Sequence, residues 1–209
     1  MTTERVTVTG VSDYVVNGDT ITFDCETAAP DPVTPRTVPV TLTVYDPRTF
    51  RFELRANPEV PANEEYPKLD TDAVATDVDP EATEVEGSLV VDTGALRITV
   101  GLEKWAFTVA DADTGEAVFE EQRSDSDVFG RQRVAPLGFT QRKLNHNPRK
   151  VTETGTAFEL SPGERIYGAG EQFTDFDRRG HEIELWHEEP LGTETARAYK
   201  NIPFHLSTE

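Results

Sequence analysis

Apolar and polar residues alternate with a period of two through most of this chain, and no stretch sustains a capped 3.6-residue repeat. Successive side chains of a strand point to opposite faces, so this pattern buries one face and wets the other. Arg5-Val-Thr-Val-Thr, Val40-Thr-Leu-Thr-Val-Tyr45 and Thr49-Phe-Arg-Phe-Glu-Leu-Arg55 show it most clearly. Asp46-Pro47-Arg48 between the last two reads as a hairpin turn. Ser88–Asp92, Ala95–Val100, Trp105–Val109 and Glu116–Glu120 follow, separated by Thr93-Gly94, Gly101 and the turn Asp111–Gly115. With 14 Pro and 14 Gly cutting the chain into short runs, the expected class is all-β, a large antiparallel β-sandwich.

Charge decides what such a sandwich can bind. The 209 residues carry 20 Lys+Arg against 39 Asp+Glu, a formal net charge of −19. Nucleic acid and anionic membrane surfaces need clustered basic residues, so both are excluded as expected partners. No apolar run approaches the roughly 18 residues of a spanning helix. Met1-Thr-Thr-Glu-Arg-Val lacks the basic and apolar regions of a signal peptide, and the single cysteine, Cys25, suits a reducing compartment. The expected location is the cytoplasm. Patterned aromatic residues, 11 Phe, 5 Tyr and 2 Trp, argue against disorder despite the charge. The basic residues are 15 Arg and only 5 Lys. A dense carboxylate surface with little lysine is expected of a halophile's protein. At about 1 M salt the Debye length falls to about 3 Å and self-repulsion nearly vanishes.

Several acidic and glycine-rich stretches have the residue types of a site without its spacing. Glu59–Asp92 holds eleven carboxylates and one base, Lys68, and reads as an exposed acidic loop running into a strand. A calcium loop starting at Asp77 would need Gly where Ala82 stands and Glu where Ser88 stands. In Asp111-Ala-Asp-Thr-Gly115 the glycine falls at the fifth rather than the sixth position, as in a hairpin turn. Gly168-Ala-Gly170 lacks the third glycine and the βαβ unit of a dinucleotide site. His146, His181, His187 and His205 have no metal-ligand spacing, and no nucleophile, base and orienting acid can be assembled. No metal and no cofactor is therefore expected. Cys25 reads as a small buried hydrophobe.

The last forty-five residues or so carry more. Glu164-Arg-Ile-Tyr-Gly-Ala-Gly-Glu-Gln-Phe173 reads as a strand entering a glycine-rich bend. Asp175–Gly180 reads as a polar loop and Ile183-Glu-Leu-Trp186 as a returning strand. That strand ends on Trp186, His187, Glu188 and Glu189. An indole can stack on the apolar face of a pyranose while a carboxylate accepts from its hydroxyls. A core tryptophan followed by solvent-facing acids is the competing reading.

Glu164–Phe173, with Arg179-Gly180, Leu185-Trp186 and Ala198-Tyr-Lys-Asn-Ile-Pro-Phe-His-Leu-Ser207, resemble the N-terminal β-sandwich of glycoside hydrolase family 31, the α-glucosidases and α-xylosidases. Tyr199–Phe204 is most similar to the α-xylosidase-like branch. The resemblance implies a galactose-mutarotase-like sandwich that precedes a catalytic (β/α)8 barrel. The family usually has Trp-Asn-x-Asp at this loop, with the Asp able to reach the bound sugar. Here Glu189 takes the Asp position and His187 replaces the Asn, so Trp186, His187 and Glu189 are the implied substrate-binding residues. The segment Tyr199–Asn201 is expected to help place the loop or the domain boundary rather than to perform chemistry.

The family's two catalytic aspartates belong to the barrel, and no residue here matches their motifs. Retaining hydrolysis needs carboxyl groups about 5–5.5 Å apart across the scissile bond, and a barrel needs about 250 residues. Residues 1–209 are accordingly expected to be one domain, stopping before the barrel, of a retaining α-glycosidase acting on O-glycosyl bonds in carbohydrate metabolism. The expected partners are an α-linked sugar or oligosaccharide and a catalytic barrel, in cis or as a separate chain. The domain alone is expected to be inactive. A stand-alone carbohydrate-binding module is the alternative, and an interaction sandwich that pairs through the edge after Leu206 is a third.

The charge pattern predicts that the thermal midpoint rises as NaCl is raised from low to molar concentration. A midpoint that is equal or higher without salt, in melts followed by circular dichroism, contradicts the halophilic reading.

Overall fold

A computed structural model describes residues 2–56, 78–121, 126–128, 132–134, 136–144, 147–189, 192 and 197–209. Most of the acidic segment 59–92 therefore lies outside the described residues, and only its final hairpin is seen. The described residues contain no helix. The strands are, in order, β1 (Thr2–Asn17), β2 (Thr20–Thr27), β3 (Thr37–Asp46), β4 (Thr49–Leu54) and β5 (Glu81–Val85). Next come β6 (Ser88–Asp92), β7 (Leu96–Gly101), β8 (Phe107–Asp111), β9 (Ala117–Glu120) and β10 (Ser126–Val128). The last five are β11 (Gln132–Val134), β12 (Gly138–Leu144), β13 (Asn147–Gly155), β14 (Ile166–Gly170) and β15 (Asn201–Ser207). The chain divides into two compact units, Met1–Glu159 and Leu160–Glu209.

The first unit is the sandwich. One sheet has the order β13-β12-β1-β2-β3-β4 and the other β5-β6-β7-β8-β9, with antiparallel pairing throughout. The alternation read from the sequence is the cause. In β2, Ile21, Phe23 and Cys25 are fully buried while Thr22 and Asp24 face out, and in β3 the buried set is Val38, Val40, Leu42 and Val44. The second sheet answers with Leu89, Val91, Ile98, Val100, Phe107 and Val109 in the same core. Phe107 meets Phe52 at a ring-centroid distance of 4.6 Å and Phe50 at 6.2 Å, so aromatic contacts join β8 of one sheet to β4 of the other. Cys25 is fully buried, and loss of solvation pushes its thiol up to about 12, which keeps it protonated and inert.

β1 is longer than Arg5–Thr9 because it serves two partners. Thr2–Thr7 pair with β12, and Val8–Asn17 pair with β2. Register shifts between Val8 and Gly10 and between Val11 and Asp13 insert residues that reverse the alternation. A period-two reading loses the strand at those points. Conversely, Trp105 lies before β8 rather than in it, although it is buried, 4% exposed.

Trp105 is anchored by a carboxylate. Its Nε1–H donates to Glu121 Oε2 at 2.6 Å, while Glu121 Oε1 accepts from the Leu137 backbone N–H at 2.7 Å and from the Thr156 hydroxyl at 2.6 Å. Three donors satisfy a carboxyl group that is 2% exposed. Burial raises its pKa above the ordinary 4.5, and the three hydrogen bonds oppose that rise. With the folded pKa above the unfolded one, the native state binds the extra proton. This group's stabilisation is full below the unfolded pKa and is lost as pH rises through the folded one.

The second unit is small. β14 and β15 form a two-stranded antiparallel sheet. Gly168, Ala169 and Gly170 have φ values of 114°, 68° and 86°, three left-handed residues in succession. A Cβ on Gly168 would overlap the Phe204 carbonyl oxygen, and one on Gly170 the Lys200 carbonyl oxygen. Glycine at these two positions is what lets β15 approach. Buried Arg178 then ties down the loop after β14, donating to the Gly168 and Asp175 carbonyls and to the Thr174 hydroxyl.

Replacing Glu121 by Gln is expected to flatten one component of the pH dependence. Urea unfolding followed from acid to neutral pH should show the wild-type advantage over Glu121→Gln shrinking as pH rises from the ordinary carboxyl range upward. A constant or growing difference contradicts the raised carboxyl.

Candidate functional site

The Trp186–Glu189 loop lies entirely within the second unit. Residues 183–186 form no strand, because their side chains have no buried face to supply and the region makes a single parallel bridge, His187 to Ala198. The expected returning strand is replaced by an extended segment held side by side with Ala198–Asn201. The Glu188 N–H donates to the Ala198 carbonyl at 3.2 Å. Asn201 Nδ2 donates to the Trp186 carbonyl at 2.7 Å and to the Ala198 carbonyl at 3.0 Å. Gln172 Nε2, just past the glycine-rich bend, donates to Asn201 Oδ1.

The three residues singled out from the sequence lie along this one exposed segment. Trp186 is 70% exposed, so it is not a core tryptophan; Trp105 fills that role. His187 places Nδ1 against the Tyr199 carbonyl oxygen. Glu189 Oε1 accepts from the Tyr199 hydroxyl at 3.1 Å, and that bond, with the carboxylate's charge, raises the Tyr199 phenol above its usual 10. Only one of the two Glu189 oxygens has a partner among the described residues. Glu188 pairs with Arg197 at 3.3 Å instead, which separates its role from that of Glu189. The segment Tyr199–Asn201 thus places the loop: the Tyr199 ring and carbonyl and the Asn201 amide each fix one part of it.

An exposed indole offers a flat apolar face, and an exposed carboxylate offers an acceptor. Among the described residues Glu121 is the one carboxyl raised by its surroundings, but it is buried and its oxygens are engaged by internal donors, so it cannot serve as a general acid. Among the described residues no group of three or more His, Cys, Asp or Glu is placed to hold a metal ion, and no helix is long and apolar enough to cross a membrane. Gln172 and Arg178 escaped the sequence reading as site-shaping residues. Neither has a spacing signature, since each acts through hydrogen bonds to backbone or side-chain groups that only the fold brings close.

Residues 39–209 match the family model for the glycosyl hydrolase 31 N-terminal galactose mutarotase-like domain. The chain belongs to this family. Among curated relatives, the glycosyl hydrolase 31 domain is 46% identical over 50 residues to an alpha-xylosidase of Emericella nidulans, covering 24% of this chain and 6% of that protein. It is 39% identical over 64 residues to the alpha-xylosidase XylQ of Lactiplantibacillus pentosus, covering 31% of this chain and 8% of that one. The matched segments therefore span less than a tenth of the length of these two relatives. Among solved structures, the cycloalternan-forming enzyme of Listeria monocytogenes, in complex with a pentasaccharide substrate, has TM-score 0.72 and 21% identity, covering 98% of this chain and 17% of that enzyme. A GH31 alpha-xylosidase from a soil metagenome, complexed with xylose, has TM-score 0.62 and 16% identity, covering 94% of this chain and 26% of that enzyme. At these identities the structures establish the shared fold.

Proposed function

We propose that this glycosyl hydrolase 31 domain is the substrate-side N-terminal part of a retaining α-glycosidase of the α-xylosidase or α-glucosidase type. In it, Trp186, His187 and Glu189 border the sugar, and the catalytic aspartates come from a (β/α)8 barrel, in cis or on another chain. The observation that carries this reading is the exposed Trp186–Glu189 loop, fixed at its backbone while one Glu189 oxygen stays available to a hydroxyl. The α-xylosidase relatives support the substrate class. The apolar face of β15, where Ile202, Phe204 and Leu206 are all exposed, supports a further protein surface packed there, and the barrel is the occupant we assign. The working compartment we assign is the cytoplasm of a salt-adapted cell, on the charge and the single buried cysteine.

The exposed indole beside a carboxylate also favours the second reading, a stand-alone carbohydrate-binding module. Two measurements on the purified 209-residue chain separate them. The enzyme-part reading predicts no hydrolysis of an aryl α-xyloside or α-glucoside above buffer, and no heat of binding for xylose, glucose or short α-glucans. Hydrolysis overturns it, and saturable binding that disappears in Trp186→Ala favours the module.

A further inference from the structure

Asn201 opens β15 and is buried, 8% exposed. An amide side chain has one acceptor oxygen and two N–H donors. All three functions are used: Oδ1 accepts from Gln172, and Nδ2 donates to the carbonyls of Trp186 and Ala198. One buried side chain therefore holds the loop to the segment that precedes β15. Its neighbours follow from that hold. The Glu188 N–H reaches the Ala198 carbonyl, and His187 Nδ1 reaches the Tyr199 carbonyl. A carbonyl oxygen can only accept, so Nδ1 must carry the proton. In the neutral ring Nε2 is then unprotonated and can only accept.

We propose that Asn201 is the positioning residue of the loop: by clamping Trp186 to Ala198 it fixes His187 as the Nδ1–H tautomer, so that the imidazole offers a ligand an acceptor rather than a donor. His187 and the anionic Glu189 are then both acceptors, and the ligand chemistry they fit is a group of hydroxyls that donate. Only this last step rests on the sugar-site reading; the tautomer rests on the hydrogen bonds. Asparagine is required rather than aspartate, because aspartate has the same shape but would put one carboxylate oxygen, which cannot donate, in the place of Nδ2 against two carbonyls. Gly170 is part of the device, since the close passage of the Lys200 carbonyl brings Gln172 to Asn201.

The test is a long-range 1H–15N correlation spectrum of the labelled 209-residue chain at a pH where the ring is neutral, with the His187 signals assigned from His187→Gln. The expected spectrum has a protonated Nδ1 and an unprotonated Nε2. In Asn201→Asp the Nδ1–H form is expected to give way to the Nε2–H form, and amide exchange at Glu188 to rise about tenfold, the effect of roughly one lost hydrogen bond. A wild-type ring protonated on Nε2 overturns the proposal, as does an unchanged tautomer in folded Asn201→Asp. If that variant does not fold, Gln172→Ala, which removes only the bond to Oδ1, carries the comparison: a partial shift toward Nε2–H supports the clamp and no shift overturns it. No sugar is present in these measurements. A failure of sugar binding leaves the tautomer result standing, and a wrong tautomer leaves the roles of Trp186 and Glu189 to be judged by binding.

Discussion

The carbonyl oxygens of Lys200 and Phe204 occupy the space in which Cβ atoms of Gly170 and Gly168 would stand. That steric fact organises the whole second unit. It demands glycine at both positions and holds Ala169 between them at φ 68°, a conformation costly for a residue with a side chain. In return β15 runs close enough to β14 for Gln172 to reach Asn201, and Asn201 in turn sets the backbone of Trp186. The exposed loop is therefore ordered from below by buried polar contacts, rather than by packing of its own side chains. Such support leaves the indole and the carboxylate exposed, as the proposed role beside a sugar requires.

The sandwich was largely legible in the sequence because burial obeys a period of two. Ile21, Phe23 and Cys25, or Leu89 and Val91, could hardly be placed on another face without exposing the core. Where the period broke, so did the reading. The bulges in β1 shift the phase between Val8 and Asp13, and the second half of that strand carries no usable alternation. Ile183–Trp186 erred the other way: its alternation looked like a strand, yet it has no sheet face to cover and no ladder partner beyond one bridge.

The site divides along the same line. Residue types announced Trp186 and Glu189, since an aromatic beside a carboxylate is visible in one dimension. Whether that tryptophan was core or surface was not visible, because Trp105 and Trp186 have opposite fates in similar strand-like contexts. The segment Tyr199–Asn201 was expected to help place the loop, but the contacts by which Asn201 does so, and the part of Gln172, were hidden for a different reason. Gln172 lies 29 residues from Asn201, and Asn201 lies 15 from the Trp186 carbonyl it holds, and such contacts leave no trace in residue spacing. Family membership, shown by the match over residues 39–209, supplies the setting in which these contacts have a purpose.

The central claim is that Glu189, held by Tyr199 on a clamped loop, meets the sugar. It is tested most directly with the chain joined to a catalytic barrel of the family, by comparing kcat/KM for an aryl α-xyloside between wild type and Glu189→Gln. A hydrogen bond to a charged group is worth about 1.5–3 kcal/mol, so the account predicts a loss of about 10- to 100-fold. An unchanged kcat/KM in a variant that folds and assembles normally would contradict it.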